Sequence, residues 1–173
     1  MLSPSRNPEL ALPIYAWPWL WHVPGTSLVA ATVALGVERN LVLLVSDLAG
    51  VRAGRARWAK VLDAGDEVSS ITSAGGWFYF KSSKGAPRYQ VLSLPVTETT
   101  LARSQVLVPQ AQGVIGDIAA ARDGLYFTRR DGVNARLGHV ASGAAERAVA
   151  LPDRKSTRLN SSHERLSRMP SSA

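Results

Sequence analysis

One β-hairpin pattern occurs twice in the chain at a fixed spacing. Residues 77–94 are WFYFKSSKGAPRYQVLSL, and residues 125–141, LYFTRRDGVNARLGHVA, follow nearly the same plan. Four residue pairs in one register are each 47 positions apart: Ile71 and Ile118, Tyr79 and Tyr126, Phe80 and Phe127, Gly85 and Gly132. A period of about 40 to 50 residues made of short strands is typical of a β-propeller blade. We therefore predict an all-β fold built from four-stranded antiparallel blades.

Short apolar runs bounded by turn residues predict the strands within each blade. In the second unit they cover residues 68–73, 77–82, 88–94 and 105–108, and in the third unit 114–120, 124–129, 135–140 and 147–151. The segment 27–48 has the same order of apolar strand, polar turn and apolar strand. Residues 9–152 are thus expected to form a partial β-propeller with blades at 24–63, 64–110 and 111–152, about three where closed propellers use about 4 to 8.

The one candidate helix lies at residues 48–62, LAGVRAGRARWAKVL. It contains Gly50 and Gly54, each of which costs about 1 kcal/mol in a helix interior. We therefore predict a loop that leads into a strand at residues 57–63.

The repeated hairpin favours an architectural role. Its aromatic run, residues 77–80, lies near Lys81, Lys84 and Arg88, which would also suit a ligand-stacking surface. However, a propeller buries both faces of its middle strands, and a continuous apolar strand is what such packing needs. Gly85 and Gly132 are expected to supply turn conformations with positive φ.

No catalytic residue is predicted. The G-x-S-x-G nucleophile motif does not occur, and the nearest string, residues 72–76 (TSAGG), lacks a glycine two positions before its serine. We interpret that string as a hairpin turn. His22 and His139 have no nucleophile in a suitable sequence context and are expected to be structural or surface histidines.

No metal or cofactor site is predicted either. Asp63, Asp66 and Glu67 cluster in VLDAGDEV, but their spacing differs from that of a calcium loop, and a solvated turn explains them better. Residues 113–117, GVIGD, do not match the dinucleotide-binding fingerprint. Because the chain has no cysteine, it offers neither a disulfide nor a thiolate metal ligand. For the same reason, its cysteine content does not indicate whether its compartment is oxidising or reducing.

The last 21 residues, 153–173, differ in character from the rest. They hold five Lys/Arg and two Asp/Glu of a chain whose formal net charge is +7, and they are expected to be disordered. RKSTRLNSSH at 154–163 and SRMPSSA at 167–173 closely resemble a translated short-read sequencing adapter, with residues 164–166 as its barcode. We therefore exclude this non-native tail, including His163, and predict no nucleic-acid partner from its charge.

Neither a secretory signal nor a membrane span is predicted. Residues 1–10 lack an apolar core, and no run reaches the roughly 18 apolar residues that a span requires. If the tail is an artefact, the chain is a piece of a longer protein, whose amino end and compartment, cytoplasmic or periplasmic, stay open.

The order of segments resembles the propeller domain of the prolyl oligopeptidase family. The resemblance spans residues 9–152 and rests on residues 38–50, 57–63, 66–94 and 106–137. It includes the turn Ala86-Pro87-Arg88-Tyr89 and the V-x-V-P segment at residues 106–109. None of these motifs is diagnostic alone; their common order carries the resemblance.

The resemblance implies a two-domain serine endopeptidase that cleaves short peptides after proline. A seven-bladed propeller in that family covers an α/β-hydrolase domain and keeps long chains from the nucleophile. This chain would be part of that gate. The catalytic residues of the parent protein would lie beyond position 152. The partners of this chain would be the rest of the propeller and the hydrolase domain and, through the parent, short proline-containing peptides.

Two other functions stay open: a freestanding propeller or β-repeat used as a protein-interaction module, and a nucleic-acid-binding β-domain suggested by the basic sequence. We also expect residues 1–152 alone to be poorly soluble, because an unclosed ring exposes two apolar blade faces and unpaired strand edges.

Overall fold

The computed structural model describes residues 2–3, 5–141 and 144–151. These residues form three four-stranded antiparallel sheets, in each of which strands adjacent in sequence are also hydrogen-bonded neighbours. The predicted partial β-propeller is therefore confirmed, while the tail at 153–173 lies outside the described residues. The first sheet consists of β1 (Ala16–His22), β2 (Leu28–Leu35), β3 (Leu41–Asp47) and β4 (Ala59–Leu62). The second sheet consists of β5 (Val68–Ala74), β6 (Trp77–Ser82), β7 (Gln90–Pro95) and β8 (Gln105–Val108). The third sheet consists of β9 (Val114–Ala121), β10 (Gly124–Asp131), β11 (Asn134–Val140) and β12 (Arg147–Val149).

The second sheet lies between the other two and is buried on both faces. Phe78 and Phe80 are fully buried against the first sheet, where the ring of Phe78 meets the edge of Trp21 at a centroid distance of 6.2 Å. Tyr79 points the other way and packs with Leu125 and other apolar residues of the third sheet. Because side chains alternate along a strand, one apolar run serves both interfaces. Core packing of these aromatic residues, as predicted, is confirmed.

The sequence repeat corresponds to a structural repeat. Ile71 pairs with Phe80 across β5 and β6, and Ile118 pairs with Phe127 across β9 and β10. Phe80 faces the first sheet and Phe127 faces the second, so each phenylalanine packs against the preceding sheet. A separation of 47 residues therefore advances the chain by one blade, as predicted.

Glycines form the hairpin turns where the sequence predicts them. Gly85 and Gly132 have φ values of +66° and +57°, the left-handed region that glycine adopts without steric cost. Gly75 and Gly76 connect β5 to β6 with φ values of +59° and +81°. Two successive residues with positive φ match a type I′ hairpin turn, so the interpretation of residues 72–76 as a hairpin is confirmed.

Strand β1 is an element that the sequence analysis did not assign. It begins at Ala16, eight positions before the expected start of the first blade at residue 24, and pairs with β2 along its whole length. Its sequence, AWPWLWH, contains a proline, which argues against a central strand. The structure places it at the sheet edge, where Pro18 needs no second strand partner for its missing N–H.

Two other elements differ from the expectations. The segment predicted as a loop begins with one helical turn, α1 (Leu48–Arg52), in which the Asp47 carboxylate accepts a hydrogen bond from Gly50 N–H at 2.9 Å. This N-cap offsets the low helix propensity of glycine. In the second sheet, β7 starts at Gln90 and not at residue 88, because Tyr89 adopts a φ of +63° and closes the preceding turn. No described helix is long and apolar enough to cross a membrane.

The two outward faces of the array expose less apolar surface than expected. Leu2 and Leu10, from the amino-terminal segment, bury the outer face of the first sheet together with Val33, Val42 and Leu44. Polar groups centred on His139 occupy the outer face of the third sheet. The prediction of two bare apolar faces is therefore wrong for the described residues.

Candidate functional site

The three sheets approach one another at their first strands. The Ala120 N–H in β9 donates a hydrogen bond to Thr72 Oγ1 in β5 at 3.3 Å. On the other side of β5, a recess brings Trp21 and His22 of β1 beside Ser73. We call the exposed side chains of β1, β5 and β9 the inner surface, because these strands lie where the sheets converge.

The inner surface is mainly apolar. Trp17 and Trp19 are 66% and 55% exposed, and Leu20 and Val114 are also exposed. Asp117 supplies a carboxylate in β9. Exposed tryptophans are costly to leave in water, which favours a contact role for this surface in a larger assembly.

Lys81 ties the second sheet to the third near this surface. Its Nζ donates to the Gly116 carbonyl oxygen at 2.8 Å and lies 5.0 Å from the centroid of the Tyr89 ring. The Ile115 N–H also donates to the Arg88 carbonyl oxygen at 3.1 Å. The basic residues of the hairpin therefore include one that holds two blades together.

An apolar cavity of about 280 Å³ lies between the second and third sheets. Tyr79, Ser93 and Leu107 line one side, and Val140 lines the other. Burial raises the pKa of the Tyr79 phenol, because the charged phenolate would lose its hydration there. A neutral phenol and one hydroxyl beside apolar walls provide no activated nucleophile.

His139 lies on the outer face of the third sheet and is only 1% exposed. Its Nδ1 accepts a hydrogen bond from Arg147 Nε–H at 2.9 Å, which leaves Nε2–H to donate to the Asp123 carbonyl oxygen at 3.2 Å. The Tyr126 ring packs against the imidazole at a centroid distance of 4.4 Å. Both ring nitrogens are thus engaged in holding a hairpin and an edge strand together, a structural arrangement.

The Asp123 carboxylate completes this group. Its pKa is lowered, chiefly because it accepts a hydrogen bond from the Tyr126 hydroxyl at 2.7 Å. The same bond raises the pKa of the Tyr126 phenol, since ionisation would remove the donor. The Tyr126 hydroxyl therefore stays protonated and donates its hydrogen bond to the Asp123 carboxylate.

His22 lies at the exposed end of β1. Its Nε2 is 2.7 Å from the Thr26 carbonyl oxygen, a contact that closes the loop between β1 and β2. The prediction that the chain has no catalytic residue stays a prediction, since it concerns an absence.

The carboxylates at residues 63–67 form a turn. Asp63 and Asp66 cap a 3₁₀ turn, Ala64–Asp66, through a reciprocal capping box, and Lys60 Nζ lies 2.7 Å from Asp63 Oδ2. Glu67 Oε2 accepts a hydrogen bond from the Ser83 hydroxyl at 3.0 Å. The hydrogen bond from Lys60, helped by the Ala64 N–H, holds the pKa of Asp63 below its usual range. Among the described residues, no group of three or more acidic or histidine side chains has a metal-binding arrangement.

Sequence reasoning missed the residues that shape the inner surface. Trp17 and Trp19 were left without a role because Pro18 between them obscured the strand. Thr72 and Lys81 could have been identified only by knowing which strands of successive blades touch. The alternating tryptophans at positions 17, 19 and 21 were the one available signal for a strand with an aromatic face.

Solved structures of prolyl endopeptidases, of a prolyl oligopeptidase and of an oligopeptidase share this fold. A prolyl endopeptidase matches 80% of the chain with 17% identity and a TM-score of 0.65, over 20% of its own length. Prolyl oligopeptidase B from Galerina marginata matches 79% of the chain with 15% identity and a TM-score of 0.64, again over 20% of its length. Oligopeptidase B from Leishmania major matches 81% with 13% identity and a TM-score of 0.61, over 21% of its length.

The chain thus spans about a fifth of the length of these enzymes. No protein-family model and no curated protein matches it. At such low identity, the comparison establishes the fold, which is that of part of the enzymes named.

Proposed function

We propose that the chain is a fragment of a prolyl oligopeptidase-like serine endopeptidase and forms part of its substrate-gating propeller. The observation that carries the proposal is the joint match of blade order and fold. The three consecutive blades superimpose on an enzyme of that kind, and the match covers 80% of the chain. The resemblance of residues 9–152 to the same family, found from sequence order alone, supports it independently.

Peptide substrates are part of the proposal. One of the similar structures is a prolyl oligopeptidase B bound to a 35-residue hydrolysis and macrocyclisation substrate. In the proposed parent, a hydrolase domain carries the serine nucleophile, and acyl transfer proceeds through a serine ester. The propeller contributes no reacting group and restricts which peptides reach the nucleophile.

The inner surface supplies the features that such a restriction needs. Trp17 and Trp19 project large, rigid side chains from the first strand of a blade, and inter-sheet bonds such as the one from Lys81 to Gly116 keep the blades in register. A rigid apolar wall excludes bulky or strongly hydrated chains and admits a short extended peptide.

The reading frame beyond Pro152 tests the parentage directly. We expect the source DNA to continue through further blades into G-x-S-x-G followed by an aspartate and a histidine. A frame that continues only through blades and then stops would identify a freestanding interaction module instead. A genomic origin for residues 153–173, followed by a stop codon, would also overturn the proposal.

Gating is tested in the parent enzyme encoded by that frame. Replacing Trp17 and Trp19 by alanine should raise kcat/KM for a long proline-containing peptide relative to a short one, because the wall becomes smaller. Val37→Ala, at an exposed hairpin tip, is the matched control. An unchanged ratio in the tryptophan variant would assign these residues to another contact.

A further inference from the structure

The apolar cavity between the second and third sheets, about 280 Å³ in volume, is larger than an ordinary packing defect. Protein interiors leave few voids larger than a water molecule, and a dry cavity of about 150 Å³ already admits a benzene ring. Its walls come from β6, β7 and β8 on one side and from Val140 and Ala141 on the other. We call it the inter-blade cavity. Because both of its walls belong to this chain, no further part of a longer protein is needed to form it.

The third sheet leaves this space because it narrows at the end of β11. β12 pairs with residues 137–139 of β11 and not with Val140, whose partner is Leu125 in β10. Val140 and Ala141 also carry small side chains, which do not reach far toward the second sheet. The opposite wall is therefore left partly uncovered.

Polar side chains form a row on the wall that the second sheet supplies. Tyr79 in β6 pairs with Ser93 in β7, and Ser93 pairs with Gln105 in β8, so the three side chains leave the same face of the sheet. Trp77 lies two positions before Tyr79 and shares this face, and Leu107 packs on the same side. The wall thus combines two aromatic rings and an aliphatic side chain with three hydrogen-bonding groups.

The Tyr79 hydroxyl has no partner for its hydrogen. The residue is 8% exposed and lines the cavity, and its hydroxyl forms no hydrogen bond with any other described residue. Burial alone raises the pKa of this phenol, in agreement with a hydroxyl that no neighbouring polar group contacts. A buried hydroxyl left unpaired costs free energy that an oxygen acceptor inside the cavity would recover.

Ser93 and Gln105 extend the polar row to the surface. Ser93 is 7% exposed, and its hydroxyl donates a long hydrogen bond of 3.5 Å to the Gln105 carbonyl oxygen. The side chain of Gln105 is exposed, so the cavity reaches solvent at this point. A ligand can therefore enter beside β8 without separating the blades.

The lining favours a neutral ligand. Of the described side chains, those that line the cavity include none that is charged. Apolar walls cannot replace the hydration of a charged group, whereas the rings of Trp77 and Tyr79 offer flat faces to another aromatic ring.

We propose that the inter-blade cavity binds a small neutral aromatic molecule that carries a hydroxyl or carbonyl oxygen, with the Tyr79 hydroxyl donating a hydrogen bond to that oxygen. The proposal does not depend on the peptidase parentage. Such a ligand contacts two blades at once and stabilises their packing.

Titration of the full 173-residue chain with para-cresol tests the site, with the methyl resonances of Leu107 and Val140 followed by NMR. We expect saturable shifts of both residues and nuclear Overhauser effects between their methyl groups and the ligand ring. Toluene, which lacks the hydroxyl, should bind about fivefold more weakly, since it leaves the Tyr79 hydroxyl unpaired. Para-toluate, which carries a charged carboxylate, should not bind.

Three variants assign the binding to this cavity. Tyr79→Phe should abolish the preference for para-cresol over toluene, whereas Tyr15→Phe, which removes an exposed hydroxyl before the first sheet, should keep it. Leu107→Phe fills part of the cavity and should weaken the binding of both ligands, and it serves as the test should Tyr79→Phe not fold.

Three outcomes would overturn the proposal. The first is that para-cresol and toluene bind the wild type equally well or not at all. The second is that bound para-cresol shows no nuclear Overhauser effect to Leu107 or Val140. The third is that folded Tyr79→Phe retains the wild-type preference.

Discussion

Gly138 lies directly opposite Phe127 in the third sheet, and a methyl group at position 138 would overlap the Phe127 ring. The ring is 1% exposed and belongs to the core between the second and third sheets. Strand β11 is therefore glycine at this point because a phenylalanine from the neighbouring strand occupies the space that a side chain would need.

Gly138→Ala should accordingly lower the free energy of unfolding by about 1 to 3 kcal/mol, because a packed core accommodates an added methyl only by moving its neighbours. Urea denaturation followed by tryptophan fluorescence measures the change. Gly65→Ala is the matched control, since a methyl at position 65 meets no atom within 4 Å. Equal midpoints for the two variants would show that Phe127 can move aside freely.

Phe78→Ala should destabilise the chain by about 3 to 5 kcal/mol, the usual cost of deleting a buried phenylalanine. Phe78 is fully buried between the first and second sheets and contacts Trp21 and Phe80. The urea midpoint reports the loss, with Val37→Ala at an exposed turn as the control. A loss under about 1 kcal/mol would mean that the first two sheets do not pack through this side chain.

Asp63 should contribute to acid sensitivity. Its folded-state pKa lies below the usual aspartate value of 3.8, so its contribution to stability is present above that pH and is lost as the pH falls through the folded-state pKa. Lys60→Gln should raise the pKa of the Asp63 carboxyl, because the hydrogen bond from the Lys60 ammonium group contributes most to stabilising the carboxylate.

An NMR titration of the Asp63 side-chain carboxyl carbon measures this pKa. Lys84→Gln, which removes an ion pair with Asp66 and not with Asp63, should leave the Asp63 titration where it was. If Lys60→Gln has no effect either, the Ala64 N–H and not the ammonium group stabilises the carboxylate.

Strand β1 should promote self-association. It is an edge strand with unpaired backbone groups, and Trp17 and Trp19 expose aromatic surface beside them. Replacing both tryptophans by threonine keeps β propensity and should increase the monomer fraction in sedimentation velocity. Replacing Val37 and Val133, which are exposed at hairpin tips, by threonine should not. A wild-type chain that is already monomeric would contradict the expectation.

The repeat itself was predictable because it depends on local chemistry. Alternating apolar residues and glycine turns identify β6, β10 and their hairpins, and the 47-residue spacing of Phe80 and Phe127 indicates equivalent positions in two blades. β1 escaped prediction because proline disfavours strands in general and is tolerated at an edge, and edges are defined only by which strands pair.

The sequence by itself therefore determined the strands of the repeat, their turns and the blade period, since side-chain alternation and glycine conformations act over a few residues. The tertiary structure alone decided which faces are buried and which polar groups meet. Leu2 and Leu10 cover the first sheet, His139 is buried beside Arg147, and Arg129 lies opposite Arg136. Such pairs depend on how strands align and sheets stack, and no local pattern in the chain specifies which distant residues will meet.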